Sequence, residues 1–360
     1  MTKVGESHNL DFLRSAAVIF VLVCHISALF QRTMLGHFDL AAIGYFGVLL
    51  FFVHTCLVLM FSLERQQIRD PQREIFGPFY IRRGFRIFPL SILVVFAVYF
   101  FRWPVGHLVK GVFSVEHLDF WGLASNLLLI QNLTHTSSII APLWSLPFEM
   151  QMYLVLPLIF LVIRRSPSTL VVAGLWIASL MVSRAHRYNH WLEVTNLFTY
   201  SPCFMAGVVS YVLAKKWKRN WPFVCMPVIL AVLSLFYINS PSVMRGRICC
   251  LLVAIVLPKF CEMQCGWLRK ASQLIARYSY GIYLTHCISQ WLAFAVLVRE
   301  PWEVRWIVFL VLLVVVPVVL YHYIEAPLVS LGSRLTSERK RERGPQRLAV
   351  QEFSHPQAAS

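Results

Sequence analysis

The stretch LDFLRSAAVIFVLVCHI, residues 10–26, decides how the rest of the chain is read. It is almost unbroken apolar sequence, yet it carries Arg14 near its start and His25 deep inside. A run of about 20 such residues is long enough to span the hydrocarbon layer of a bilayer. Eleven residues of α-helix turn through about 1,100°, three turns with about 20° over, so Arg14 and His25 project in the same direction. They stand about 16 Å apart along the axis. Arg14 then falls at a membrane edge, where it can snorkel or bind an anion, and His25 falls in the opposite half. An ionisable group at that depth is costly unless it is used, or hydrogen-bonded to a neighbouring helix.

Composition extends this reading to the whole chain. Of 360 residues, 58% are apolar and 14% charged, with a mean hydropathy of +0.64. A soluble domain has about 45–50% apolar and about 25% charged residues, so the excess exceeds what one core can bury. The chain reads as an all-α polytopic membrane protein of about ten transmembrane helices. The spans are 12–30, 41–62, 87–102, 142–163, 168–183, 199–214, 222–238, 246–261, 280–298 and 303–324. QRTMLGH follows the first run and offers no small-residue cleavage site, so that run is read as a retained helix. Segment 119–133 is short and holds Asn126 and Gln131; it is read as a re-entrant or interfacial piece packed on protein.

The net charge of +16 does not point to nucleic acid, because basic residues cluster in short loops between apolar runs. Most of the 33 Lys and Arg fall on the side that both termini share, which places both termini in the cytosol. The chain divides into a membrane domain, 1–330, and a basic tail, 331–360, expected to be disordered and close to anionic membrane lipids. Seven of the nine cysteines lie in apolar runs and are read as packing, with neither a disulfide framework nor a metal site.

Four further clusters carry unusual residues. In PFYIRRGFRIFPL, residues 78–90, Arg82, Arg83 and Arg86 crowd the start of the third span. Like charges at such spacing repel unless an anion sits between them, and guanidinium forks suit phosphate, whether of a ligand or of lipid headgroups. In PLWSLPFEMQMYLVLP, residues 142–157, Glu149 falls about 8 Å below the outer end of its helix. That is close to the depth of His25, so a His–Glu pair able to tune the imidazole is one reading and a salt bridge with an arginine the other. Trp144 is read as an interfacial anchor. RYSYGIYLTH, residues 277–286, brings Tyr283 and His286 into the ninth span. YHYIEAP, residues 321–327, ends the tenth with Glu325, expected to pair with Arg14 or the arginine cluster.

From about residue 8 to 328 these blocks resemble, in order, the integral-membrane acyltransferase family 3, bacterial O-acyltransferases that act on surface polysaccharides and small molecules. Arg14 and His25 match its arginine, ten residues, histidine motif. GVLLFFVHTCLVLM, RRGFRIFP, LWSLPFEMQMYLVLP, SYGIYLTH and YIEAP are similar to its later blocks. His54-Thr55-Cys56 stands where the family usually has a Ser-Gly pair, Pro147 replaces a small polar residue, and Met150 stands where an acidic residue is common. The resemblance implies a stand-alone enzyme of the bacterial inner (cytoplasmic) membrane, multi-pass. It would transfer an acyl group, usually acetyl, from cytosolic acyl-CoA to a hydroxyl. The acceptor would be a cell-envelope saccharide (O-antigen, exopolysaccharide or lipooligosaccharide), free or lipid-linked, or a related small molecule. Arg14, Arg82, Arg83 and Arg86 would bind CoA phosphates, and His25 would act as general base with Glu149. Ser145, Gln151, Tyr153, Tyr283 and His286 would face substrate, and no metal is implied. The rival is a transporter or flippase of an envelope glycan precursor, since buried His, Arg and Glu also line transport paths. The sequence holds no inverted halves of the kind transporters show.

Overall fold

A computed structural model describes residues 7–69, 74–109, 112–188 and 196–336. Its described residues form α-helices with two short hairpins. The helices are α1 (His8–Leu29), α2 (Leu40–Arg69), α3 (Phe76–Phe101), α4 (Phe120–Leu127), α5 (Leu146–Arg165) and α6 (Thr169–Tyr188). They continue with α7 (Leu197–Lys216), α8 (Cys225–Asn239), α9 (Val243–Val256), α10 (Gly266–Trp291) and α11 (Trp302–Leu320). The hairpins pair Met34–Leu35 with Phe38–Asp39 and His107–Val109 with Val112–Ser114, both antiparallel. Residues from 337 onward, most of the basic tail, lie outside the described residues; 331–336 continue the last helix to Thr336.

Among the described residues, seven helices are long and apolar enough to cross a membrane: α1, α2, α3, α5 with its leading turn, α6, α7 and α11. The protein is therefore an all-α, multi-pass membrane protein. The remaining expected spans coincide with α8 and α9, of 15 and 14 residues, and with α10, which buries a row of polar side chains including Ser279, Thr285, His286 and Gln290. Burial separates inner from outer helices. In their most apolar windows α2 and α7 are 78% and 72% buried, whereas α6 and α11 are only 11% buried, so the latter two face lipid.

Small residues let the inner helices close. A Cβ on Gly207 of α7 would stand 2.3 Å from the Val53 carbonyl oxygen of α2, and one on Gly47 of α2 would stand 2.6 Å from that of Ala17 in α1. Close backbone approach of this kind is the usual means of packing helices in a bilayer, where apolar surface alone gives little drive. Gly44 packs on Cys24 and Gly47 on Ala17, so α1 and α2 are antiparallel. Ser15 Oγ donates to Ser272 O at 2.9 Å, and the His25 and His286 rings meet further along, so α1 and α10 run side by side in the same direction.

The stretch before α5 explains where that helix begins. Asn126 and Gln131 are buried, and Asn126 donates to Gly122 O and Ser137 O while its carbonyl accepts from the Ile139 amide. Gln131 donates to Leu143 O at 3.1 Å. These bonds satisfy an irregular backbone that enters the protein interior, as a membrane setting requires. A 3-10 turn, Ala141–Ser145, with Leu143 and Ser145 buried, then leads into α5. Trp144 stacks on Tyr45 with ring centroids 5.7 Å apart and also meets Phe148 and Tyr200. It is half-buried and packs on this aromatic cluster.

Candidate active site

A cavity of about 780 Å³, its open mouth included, lies between α1, α2, α3, α5 and α10. Its wall includes Arg14, His54, Thr55, Arg83, Arg86, Ser145, Glu149, Tyr153, Tyr280 and Tyr283. Seven of the sequence-selected site residues therefore share one space: Arg14, Arg83, Arg86, Ser145, Glu149, Tyr153 and Tyr283. Arg82, Gln151, His25 and His286 do not line it.

The cations in this wall are not equivalent. Arg86 Nη1 lies 2.6 Å from Glu325 Oε1, so Glu325 holds Arg86 and ties α3 to the π-helical segment Tyr321–Glu325 that follows α11. Arg82 donates to the Gln66 side chain of α2, away from the cavity. Arg14 and Arg83 also line the cavity, and neither is held in a salt bridge among the described residues. Glu149 accepts from Tyr153 Oη at 3.0 Å, one helical turn on, and from Thr55 Oγ1 at 3.5 Å. Arg83 also hydrogen-bonds Tyr153, and both Arg14 and Arg83 lie in the field of Glu149, so it is their remaining guanidinium donors that face the cavity.

Helix depth put Glu149 beside His25, but the structure does not bring them together. Because the chain enters α5 from inside the protein, Glu149 lies level with Thr55 and Arg14. His25 instead meets His286, with ring centroids 4.7 Å apart at 75°. His25 Nδ1 lies 3.0 Å from Val21 O. A carbonyl only accepts, so Nδ1 carries the proton and Nε2 keeps its lone pair. His286 repeats the arrangement, its Nδ1 lying 3.1 Å from Ile282 O and 2.9 Å from Tyr283 O. Two imidazoles on parallel helices therefore both present Nε2.

Tyr283 stands between the cavity and this pair. Its hydroxyl is 2.7 Å from Ser145 Oγ and 2.9 Å from Pro142 O, and its ring centroid is 6.3 Å from that of His286. Gln151 is engaged structurally, donating to Asn132 and accepting from the Leu197 amide, so it joins α5 to the preceding loop and to α7. Sequence reasoning did not select His54 and Thr55 as site residues, although both line the cavity. The signal was present, since both fall in the His54-Thr55-Cys56 stretch where the second-helix block departs from the resembling family.

A family model described as an acyltransferase domain matches residues 7–324. The chain belongs to this family, and with its apolar helices it is a multi-pass membrane acyltransferase. No curated protein and no solved structure matches it.

Proposed function

We propose that the protein transfers an acyl group, acetyl in the first instance, from acyl-CoA to a hydroxyl of a cell-envelope saccharide or a related small molecule. The membrane is the bacterial inner membrane, with both termini and the donor on the cytosolic side. The observation that carries this reading is the cavity with two arginines, Arg14 and Arg83, outside any salt bridge among the described residues. Guanidinium groups in such a setting fit the phosphates of a CoA-like donor. The acyl-bearing arm then runs past Tyr283 and Ser145 towards His25. His25 Nε2 takes the acceptor hydroxyl proton as the oxygen attacks the thioester carbonyl. The carbon–sulfur bond breaks, and the departing thiolate recovers the proton from the imidazolium. Glu149, Tyr153 and Thr55 keep the donor end of the cavity polar and ordered.

The test is transfer of label from acetyl-CoA in membranes containing the protein, followed into lipid-linked and polymeric glycan fractions. A His25→Ala variant at matched expression is the control. Label that depends on His25 supports the reading and identifies the acceptor fraction. Equal labelling by parent and variant removes His25 from the chemistry. If no glycan or small-molecule fraction takes label from any acyl-CoA tried, the acyl-CoA donor reading fails.

A further inference from the structure

The His25–His286 pair has a third neighbour. Cys287 Sγ lies 3.5 Å from His286 Nε2, and one ligand atom each from His25, His286 and Cys287 all fall within 4.8 Å of one another. His286 and Cys287 are buried, and His25 is partly so. Both imidazoles donate Nδ1–H to a carbonyl about one turn earlier on their own helices. That arrangement fixes the tautomer and aims Nε2, as the supporting hydrogen bond does for metal-bound histidines. Around a zinc-sized ion, bonds of about 2.0 Å to nitrogen and 2.3 Å to sulfur put neighbouring ligand atoms about 3.4–3.8 Å apart. The His286–Cys287 separation of 3.5 Å already matches, and the three ligand atoms, all within 4.8 Å of one another, need to close by only about 1 Å to share one ion.

We infer that His25, His286 and Cys287 form a binding site for one soft d10 cation, and that its occupation switches off His25. Two imidazoles and a thiol with no carboxylate are the donor set of zinc or cuprous copper rather than of magnesium or calcium. Binding displaces the Cys287 proton to give a metal thiolate. With a monovalent cation the assembly is then neutral, which suits a site inside an apolar helix bundle. The bound ion takes the Nε2 lone pair of His25, so metal and base function exclude each other. This second half rests on the acyl-transfer reading; the binding site itself does not.

The experiment uses the full chain in detergent, purified through a tag without histidine. It is titrated with Zn2+ and, under reducing and oxygen-free conditions, with Cu+, each against a competing chelator. The expected result is one ion per chain, with affinity reduced at least about tenfold by His286→Ala and by Cys287→Ser. A sulfur-to-metal absorption band with Co2+ should be present in the parent and absent in Cys287→Ser, which keeps a hydroxyl near His286. Equal uptake of both ions by parent and variants, with no cobalt band, overturns the site. In the transfer assay the metal should inhibit the parent and spare Cys287→Ser. Inhibition of both alike, with binding intact, overturns the switch. An inactive parent that still binds metal counts against acyl transfer and leaves the site standing.

Discussion

The contrast between Arg86 and its neighbours carries most of the donor argument. Arg86 is committed to Glu325, whereas Arg14 and Arg83 face the cavity outside any salt bridge among the described residues. A charge-assisted hydrogen bond contributes about 1.5–3 kcal/mol, so Arg14→Gln or Arg83→Gln should each raise the KM for acyl-CoA by roughly 10- to 100-fold. Steady-state kinetics over a range of donor check this; an unchanged KM in both places the phosphates elsewhere. Gln290 supplies a prediction of a different kind. It is fully buried on α10, and neither amide atom finds a partner among the described residues. Removing an unsatisfied buried amide relieves a desolvation penalty of about 1–3 kcal/mol. Gln290→Met should therefore raise the thermal midpoint, and a lowered midpoint would mean that the amide is bonded in the membrane-embedded protein.

Helix pairs set the stability of the frame. Gly207→Ala drives a methyl into the Val53 carbonyl and the Cys56 Cβ, so α2 and α7 must separate. Overpacking of this kind costs about 1–3 kcal/mol, and thermal unfolding in detergent should show the loss. Outside the membrane spans, Glu262 ties the start of α1 to the loop before α10 by accepting from the His8 amide at 3.0 Å and pairing with Arg219. Burial alone pushes its carboxyl up, but hydrogen bonds from Ser7 and Arg219, the Arg219 charge and the His8 amide bring it below the ordinary 4.5. A carboxyl held below its unfolded value stabilises the fold above that value and loses the contribution as pH falls through the folded one. Glu262→Gln should thus lower the midpoint at neutral pH, with the gap to the parent closing below about pH 4.5. A pH-independent gap would contradict the ion-pair account.

Across the protein as a whole, what could be read from sequence and what could not have physical reasons. Apolar runs long enough to cross a bilayer announce themselves; Arg14 stood out because it begins such a run in register with His25, and Arg83 and Arg86 because like charges crowd the start of one helix. The depth of Glu149 was not legible, because counting from a helix end assumes that the helix starts at the membrane surface. Here Gln131, Asn126 and Leu143 hold an irregular segment inside the protein, and α5 starts from there. The meeting of His25 with His286 was equally hidden. It joins residues 261 positions apart and needs α1 and α10 to be parallel neighbours, which no local pattern encodes. Cys287 looked like packing for the same reason.

The most direct measurement is acyl transfer by the purified protein over a range of acetyl-CoA concentrations, comparing the parent with His25→Ala and with Arg14→Gln. The two variants should fail in different ways. His25→Ala should lose kcat by about 100-fold or more with little change in KM, because it removes a group used in the transition state. Arg14→Gln should raise KM and largely keep kcat. Parental kcat in His25→Ala, or a loss of kcat alone in Arg14→Gln, would contradict the assignment of donor binding to the cavity and chemistry to His25.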